Sequence, residues 1–315
     1  MSGTAAAATA AQLLGGIALA PLLPGLVQHW KARLQGRRGP TPLQPYRELR
    51  RLWGKSAVDV EGAGIAYRIA PAVAAASVGV AVLLVPVASD APDLGVGRDA
   101  LVLAGLLALA RFAVAASSWD VANGFALMGA SRDLTIAVFI EAALVLALAV
   151  AALVAGTTDL VLMIAGTAGS AAWSSPALAL GALAFALVLV AETGRQPIDN
   201  PDTHLELTMI HEALILEYSA RHLALIEWAA SLKLFAYSCI GLALFFPWGV
   251  AQAQAPLELL LALPVLVVKL AVGGVALALL EMLSAKMRIF RVPEFLATAF
   301  LFAVLGLLVH ILLAT

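Results

Sequence analysis

Residues 134–156 read L-T-I-A-V-F-I-E-A-A-L-V-L-A-L-A-V-A-A-L-V-A-G, an apolar run that contains one charged side chain, Glu141. About 20 predominantly apolar residues are enough for a helix to cross about 30 Å of hydrocarbon. An open sheet would leave unpaired main-chain groups in lipid, so the run predicts a helix. We therefore expect an all-α integral membrane protein.

The rest of the chain has the same character. Of its 315 residues, 62% are hydrophobic and 12% are charged, and the mean hydropathy is +0.97, whereas a soluble domain is about a quarter charged. We predict one membrane domain over residues 1–315. Its eight apolar runs of spanning length are 7–28, 65–88, 99–117, 134–156, 176–194, 222–246, 257–284 and 293–313. The apolar segment 160–175 is interrupted by glycine and serine, so it is a loop, a partly inserted segment or a ninth span.

Composition excludes several classes of function. The net charge of −1 gives no field that would attract a nucleic acid. Cys239 is the one cysteine, so the chain can form no internal disulfide and cannot ligate an iron–sulfur or nickel–iron centre, which needs about four thiolates. No basic residue precedes Lys31, so we expect no cleaved signal peptide.

Basic residues are distributed unevenly over the predicted loops. Fifteen of the nineteen lysines and arginines fall in the first, third, fifth and seventh loops, and nine of these are in the first, if Arg68 at the start of the second span is counted with that loop. Arg98 falls in an opposite loop, and the spans contain Arg111, Lys233 and Lys269. By the positive-inside rule, the odd-numbered loops are cytoplasmic and both termini lie on the other side of the cytoplasmic (inner) membrane.

The first loop, residues 29–64, predicts a short helix on the membrane surface. Its glycine and prolines before Pro45 interrupt any helix, and from Pro45 the pattern becomes helical. One apolar stripe is formed by Tyr46, Leu49, Leu52 and Trp53. The other side carries Arg47, Arg50 and Arg51. Such a helix places its apolar side in the headgroup boundary and its arginines against phosphates or a protein partner, although an ordinary positive-inside loop would also be basic.

The segment 192–222 concentrates titratable side chains between apolar runs. Pro197 and Pro201 exclude a regular helix near them, so an irregular cytoplasmic entry is predicted there. A helix is predicted from Thr203, which forms a capping box with Glu206.

On this helix Glu217 and Arg221 have the i, i+4 spacing of a favourable ion pair. His211, Tyr218 and His222 form a neighbouring stripe.

Charged side chains inside spans need partners or a water-filled cavity, because each costs at least about 2.5 kcal/mol at the bilayer centre. The candidates are Glu141, Glu227, Lys233 and Glu281. Such groups form proton relays, but side chains near the interface also reach water by snorkelling. His204, His211 and His222 are too far apart along a helix to share one ion, so no metal site is predicted.

Three separated motifs carry a family resemblance. They are R-R-G-P-x-x-L-Q-P-Y-R-x-L after the first span, S-R-D-L-T-I-A-V-F-I-E at the fourth, and E-T-G-R-Q-P-I-D-N-P-D-T-H-L-E-L followed by E-Y-S-A. The chain resembles NADH dehydrogenase subunit 1, the membrane subunit of respiratory complex I that forms the quinone chamber. The amino-acid sequence of these motifs is more similar to that of the corresponding subunit of membrane-bound group 4 nickel–iron hydrogenases, which include formate hydrogenlyase and hydrogenase-4. Ala220 stands where many relatives have glycine.

The resemblance implies an eight-span subunit between a soluble redox arm and ion-pumping membrane subunits. Iron–sulfur clusters and a possible [NiFe] centre are expected in hydrogenase-like large and small partner subunits on the cytoplasmic side, and none in this chain. Antiporter-like membrane subunits and the lipid bilayer are the other expected partners.

The resemblance and the titratable pattern together give two sets of candidate residues. The candidate ion relay comprises Glu141, Glu192, Glu206, Glu212, Glu217, Glu227 and Lys233. The candidate arm-docking or quinone-site-like set comprises Arg37, Arg38, Tyr46, Arg47, Arg195, Asp199, Asp202, His204, His211, Arg221 and His222. No catalytic or metal-binding residue is expected in this chain.

Three functions compete at this point. The first is a membrane anchor and ion-coupling subunit of a hydrogenase-type complex, which is not itself catalytic. The second is a quinone-chamber subunit of a complex I-type NADH or ferredoxin:quinone oxidoreductase. The third is an independent secondary transporter, which would need an internal repeat with paired broken helices. The segment 192–222 has no second copy, and its longer T-M-I-H-E-A-L-I-L insert favours the first function.

Overall fold

The computed structural model describes residues 14–85, 98–121, 123–169, 175–199, 210–249 and 256–314. This part of the chain is helical and contains no β-strand. The helices are α1 (Leu22–Leu34), α2 (Gln44–Trp53), α3 (Ile65–Leu84), α4 (Ala100–Val121), α5 (Gly124–Ala155), α6 (Leu160–Thr167), α7 (Pro176–Glu192), α8 (His211–Ile215), α9 (Ala220–Phe245), α10 (Pro256–Leu283) and α11 (Val292–Ala314).

The prediction of a multi-pass helical membrane protein is confirmed. Within the described ranges, α3, α4, α5, α9, α10 and α11 supply six stretches long and apolar enough to span a bilayer, and α7 is a shorter apolar helix. Residues 14–19 are also helical and lead through a turn at Pro21 into α1, but the start of the first predicted span lies outside the described residues. The count of eight spans therefore stays a prediction. The ambiguous segment 160–175 contains the eight-residue helix α6.

Helix α5 is the centre of the packing. It contacts α4, α6, α7, α8 and α11, and its buried face is built largely of alanine, leucine and isoleucine. Small residues allow helices to approach closely in a membrane protein. Gly129 shows this directly, because a Cβ added there would lie 2.7 Å from the Cβ of Ala213. The missing side chain therefore allows α8 to lie directly against α5.

The short helix predicted in the first loop is present as α2, and its position on the membrane surface stays a prediction. Pro45 lies in its first turn, where a missing N–H costs nothing. Tyr46 is half-buried and its hydroxyl donates a hydrogen bond to the carbonyl oxygen of Ala18. Trp53 remains exposed at the end of the apolar stripe, and the arginines of the other side are exposed as well. Helix α2 packs against α1 and α9, so it is part of the fold.

The continuous helix predicted for the charged segment is interrupted. Its expected start, with Thr203 and Glu206, lies outside the described residues. Helix α8 ends at Ile215, and α9 begins only at Ala220. Between them Ser219 is extended, with φ −130° and ψ 160°. The predicted i, i+4 geometry of Glu217 and Arg221 is therefore wrong, because the two residues do not lie on one helix.

Hydrogen bonds and ring stacking hold this break in place. Tyr67 and Tyr218 stack with their ring centroids 4.6 Å apart, and each hydroxyl donates to a main-chain oxygen, Tyr67 to Glu217 (2.9 Å) and Tyr218 to Tyr67 (3.0 Å). Burial raises the pKa of Tyr218 to about 12, so its phenol remains a donor at physiological pH. Ala220 has φ +48°, in the left-handed region that favours glycine. These contacts fix a backbone conformation between α8 and α9 that the local sequence alone would not favour.

Candidate functional site

A cavity of about 910 Å³ lies among α1, α3, α4, α5, α7, α8, α9 and the end of α10. Its wall is rich in charged side chains. The charged or histidine side chains on the wall are Lys31, Arg37, Arg38, Arg111, Asp133, Glu192, Arg195, Asp199, His211, Glu212, Glu227, Lys233 and Glu281. They come from segments far apart in sequence, so the fold assembles the site.

Arg111 of α4 is the centre of a buried group of ions. Its Nε and Nη2 atoms donate to the two carboxylate oxygens of Asp133 on α5, at 3.1 and 3.2 Å. Its Nη1 atom donates to Oε2 of Glu192 at 2.7 Å. All three side chains are almost completely buried. The planar guanidinium suits this arrangement, because its fixed fork satisfies one carboxylate with two bonds and still reaches a second.

Lys233 of α9 extends this group toward the cavity. Its Nζ atom lies 2.6 Å from Oε1 of Glu192, so that carboxylate is shared between a lysine and Arg111. The four side chains carry two positive and two negative charges, which offsets the cost of removing each from water. Two predicted relay residues, Glu192 and Lys233, are thus brought into direct contact.

His211 connects this group to the loop that follows α7. Its Nε2 atom lies 3.6 Å from Oδ1 of Asp133, and its Nδ1 atom lies 3.3 Å from Oδ2 of Asp199. The main-chain N–H of His211 also donates to Oδ2 of Asp199, at 3.2 Å. On the other side of that carboxylate, Nζ of Lys286 lies 3.3 Å from Oδ1. A series of contacts therefore runs from Lys233 to Lys286.

Asp199 is held in its ionised form. Burial alone would raise the pKa of this carboxyl, but the hydrogen bonds and charge of His211, together with the charge of Lys286, lower the pKa to about 2. The segment after α10 is fixed to the same loop, because the N–H of Met287 donates to the carbonyl oxygen of Pro197 at 2.8 Å. The loop is therefore bound both to α8 and to the segment that follows α10.

Glu281 forms a second group of ions at the end of α10. It pairs with Arg195 and, at 3.3 Å, with Nζ of Lys31 on α1. Its side chain is 8% exposed, so of the two interpretations open from sequence the structure favours a paired charge over a snorkelling one. This group joins the first loop to the loop after α7.

The remaining candidates occupy different places. Arg37, Arg38, Glu212 and Glu227 line the cavity, while Arg47 and Arg221 are exposed and absent from its wall. Glu217 accepts a hydrogen bond from Asn123, and Nδ1 of His222 lies 3.7 Å from Asp59. Asp202, His204 and Glu206 lie outside the described residues. In the described part of the chain, no group of three or more acidic, histidine or cysteine side chains is placed to hold a metal ion.

Glu141 differs from the other relay candidates. It is exposed on the outer face of α5 and does not line the cavity. It still lies within electrostatic range of Arg111, Asp133 and Glu192. Within the described part of this chain, therefore, nothing encloses a carboxylate that lies in the middle of an apolar run.

Sequence reasoning missed several members of the site. It assigned Arg111 to a span without giving it a role, and it did not single out Asp133, Lys31 or Lys286. The available signal was Asp133 itself, an acid at the start of a long apolar run, which needs a buried cation as its partner. Arg111, an arginine within the preceding span, supplies that cation.

Comparisons with known proteins agree with this architecture. A profile described as NADH dehydrogenase matches residues 8–312. Formate hydrogenlyase subunit 4 of Escherichia coli is 35% identical over 292 residues, which is 92% of this chain and 93% of that protein. Hydrogenase-4 component C of the same organism is 36% identical over 254 residues, covering 80% and 78%.

A more distant relative and a solved structure also match this chain. An NADH-quinone oxidoreductase subunit of Chlorobaculum tepidum is 33% identical over 154 residues, covering 47% of this chain and 42% of that protein. A chain of the membrane-bound sulfane sulfur reductase, an archaeal respiratory membrane complex, superposes with a TM-score of 0.83 at 20% identity, covering 96% of this chain and 98% of that one. The chain therefore belongs to the NADH dehydrogenase family, that of complex I subunit 1.

Proposed function

We propose that this chain is the membrane anchor and ion-coupling subunit of a redox complex similar to formate hydrogenlyase or hydrogenase-4. The two relatives that match most of its length carry those names. In this function the chain catalyses no redox step. It connects a soluble electron-transfer arm to the movement of protons or sodium ions across the cytoplasmic membrane.

The continuous series of ion pairs along the cavity is the observation that supports this proposal. It begins at Lys233, passes through Glu192, Arg111 and Asp133 to His211, and reaches the loop at Asp199. Structural ion pairs can be single and isolated, whereas a row of alternating acids and bases beside a cavity is the usual material of a proton path. Glu141 is then the exit toward a neighbouring subunit, since its exposed carboxylate requires a cover within a bilayer.

The partners follow from the two ends of this path. A hydrogenase-like large subunit and a small iron–sulfur subunit would bind at the loops after α1, α7 and α10. The loop after α1 carries the exposed Arg37 and Arg38. Antiporter-like membrane subunits would cover Glu141. The iron–sulfur clusters and any [NiFe] centre belong to these partners, because this chain has one cysteine, which is buried.

Replacing Glu192 by glutamine tests the function. Glutamine keeps the shape of the side chain but removes the charge between Arg111 and Lys233, and its one amide oxygen can accept from only one of these two cations. Glu48→Gln is the matched control, because Glu48 pairs with Arg51 on the exposed side of α2. In the purified complex reconstituted into vesicles, we expect the number of ions moved per electron to fall at least tenfold in Glu192→Gln. An unchanged ratio in a complex that retains all its subunits would contradict the proposal.

A quinone-chamber subunit remains the second candidate function, and the size of the cavity favours it. A volume of about 910 Å³ lies within the range of small-molecule sites, about 300–1,000 Å³. Alanine and valine side chains of α3 and α4 line one part of the wall, as an apolar ring would require. Solvent extraction of the purified complex would distinguish the two functions. Quinone in stoichiometric amount, together with quinone-dependent turnover, would support the second.

A further inference from the structure

His211 lies between two carboxylates that belong to different parts of the molecule. Asp133 is on the membrane-embedded helix α5, and Asp199 is on the loop after α7. Each faces a different nitrogen of the ring, Asp133 at Nε2 and Asp199 at Nδ1. The Nε2 atom is buried and forms no hydrogen bond within the described residues, because the 3.6 Å distance to Asp133 is slightly too long for one.

This arrangement suits only one protonation state of the ring. A neutral imidazole carries one N–H and can therefore donate to one of the two carboxylates, whereas the imidazolium donates from both nitrogens. Ionised carboxylates are acceptors only, so a neutral ring leaves one carboxylate facing a lone pair. In the imidazolium each nitrogen carries a proton that faces a carboxylate, with Asp199 3.3 Å from Nδ1 and Asp133 3.6 Å from Nε2.

We propose that His211 holds the proton that passes between the loop at Asp199 and the buried ion pairs, as an imidazolium bridging Asp133 and Asp199. This inference rests on the proposed ion-coupling function and names the residue at its entrance. It moves His211 from the arm-docking candidates into the relay.

The protonation state of the ring determines the net charge of the group of ion pairs around it. Asp133 is paired with Arg111, and Asp199 with Lys286. Beyond Arg111, Glu192 is paired with Lys233. These six charges cancel, so a proton on His211 sets the net charge of this cluster. Glu212, on the same helix as His211, is the next acid on the cavity wall. The protonated ring gives this cluster a net positive charge, which favours release of the proton. Its positive charge also attracts the carboxylate of Asp199 on the loop.

Two glycines create the space for the ring. Gly194 has φ +61°, and a Cβ added there would lie 2.8 Å from Nδ1 of His211. Gly129 lies one turn before Asp133 on α5 and allows α8 to approach that helix. Gly194 and Gly129 together therefore allow the imidazole ring to lie between the two carboxylates.

The transfer conserves protons and changes no other bond. A proton that arrives at one nitrogen converts the neutral ring to the cation. The proton on the opposite nitrogen then leaves into the cavity or toward the next acid, and the ring is neutral again in its other tautomer. One proton enters and one leaves, and no oxidant or reductant is needed.

Exchange of the imidazole C2 hydrogen for deuterium, followed by mass spectrometry of the whole complex over a pH series, reports the protonation of individual histidines. In Asp199→Asn we expect the midpoint for His211 to fall by about one pH unit or more, because one of two stabilising charges is lost. In Lys286→Met we expect the midpoint to rise, because Asp199 loses a competing cation. His310 on α11 is the internal control and should not change in either variant.

The two variants make opposite predictions, so a general loosening of the fold cannot produce both results. Lys286 is in a loop and half-buried, which keeps one variant available if Asp199→Asn does not assemble. An unchanged midpoint, or shifts of the same sign, would overturn the proposal. These measurements do not depend on ion movement, so their outcome is independent of whether the proposed function is correct.

Ion movement supplies the second measurement. His211→Gln should lower the ions moved per electron at least tenfold, while the control His310→Gln, on α11 and absent from the cavity wall, should not. A parental ratio in His211→Gln would overturn its role as proton carrier even if the midpoints shift. Loss of coupling in His211→Gln with normal coupling in Glu192→Gln would leave the proposal standing and refute the path through Glu192.

Discussion

Two lysines on spanning helices show how differently this chain uses the same side chain. Lys233 points from α9 into the cavity and pairs with Glu192 at 2.6 Å. Lys269, on α10, donates to the main-chain oxygens of Phe246 (2.6 Å) and Trp248, and its ammonium lies 5.7 Å from the Trp248 ring centre. One lysine meets a titratable group, and the other meets groups that cannot change charge.

The difference separates a region that can move protons from one that holds the fold. Lys233 pairs with the carboxylate of Glu192, a group that can gain and lose a proton. Lys269 instead donates to main-chain carbonyl oxygens of the segment that follows the end of α9 at Phe245. A charge within a span is therefore not evidence of a relay until its partners are known.

The largest effect is expected from removing the cation that both buried carboxylates share. Arg111→Met leaves Asp133 and Glu192 without their guanidinium, and an uncompensated buried charge costs about 3–5 kcal/mol. We expect the complex to lose this subunit during purification, or to unfold at a much lower temperature. The control is Arg98→Met, since Arg98 contacts Asp159 at 3.7 Å in a half-exposed pair. Equal stability of the two variants would show that the cavity region tolerates unpaired charge.

A smaller, pH-dependent effect is expected at the loop. The pKa of Asp199 is lowered from 3.8 to about 2, so its ionised form stabilises the fold by about 2 kcal/mol. This contribution is fully present above about pH 4 and is lost as the pH falls toward 2. Asp199→Asn should therefore lower the unfolding temperature at pH 7, and the difference from the parent should shrink between pH 4 and pH 3. A difference independent of pH would contradict this origin.

The smallest effect is expected at the other lysine. Lys269→Met removes hydrogen bonds to two carbonyl groups, and we expect about 1.5 kcal/mol of lost stability. The ions moved per electron should not change, which distinguishes this variant from Glu192→Gln. Thermal unfolding of the purified complex and ion movement in vesicles would both be measured. Loss of coupling in Lys269→Met would remove the distinction between the two regions.

Sequence predicted those features that depend on local composition. The apolar runs indicated the spanning helices from α3 to α11 with ends a few residues from those observed, except that α5 begins ten residues before its predicted start. Helix α2 followed from its proline and its stripe of apolar residues. The irregular entry at 195–199 followed from Pro197. Each of these properties is determined within about twenty residues of chain.

The features that sequence did not predict depend on contacts between distant segments. The break between α8 and α9 is fixed by Tyr67, which is 150 residues away from its acceptor Glu217. The partners of Arg111 are 22 and 81 residues away from it. Periodicity from Thr203 to His222 indicated one continuous helix, because the segment itself contains no signal of a contact with a tyrosine of another helix. Tertiary contacts therefore decided which acids meet which bases.

The length of α5 has a consequence for the bilayer. Its 32 residues extend about 48 Å, against about 30 Å of hydrocarbon, and a tilt of 40° would still leave about 37 Å. Some of the helix would then project, and its first ten residues, which end in Ser131, Arg132 and Asp133, are the end with the most polar side chains. Asp133 then lies near the headgroups, while Glu141 lies about 12 Å deeper. Lipids with longer or shorter tails would shift this boundary along α5, so membrane thickness would set how much water reaches the ion pairs.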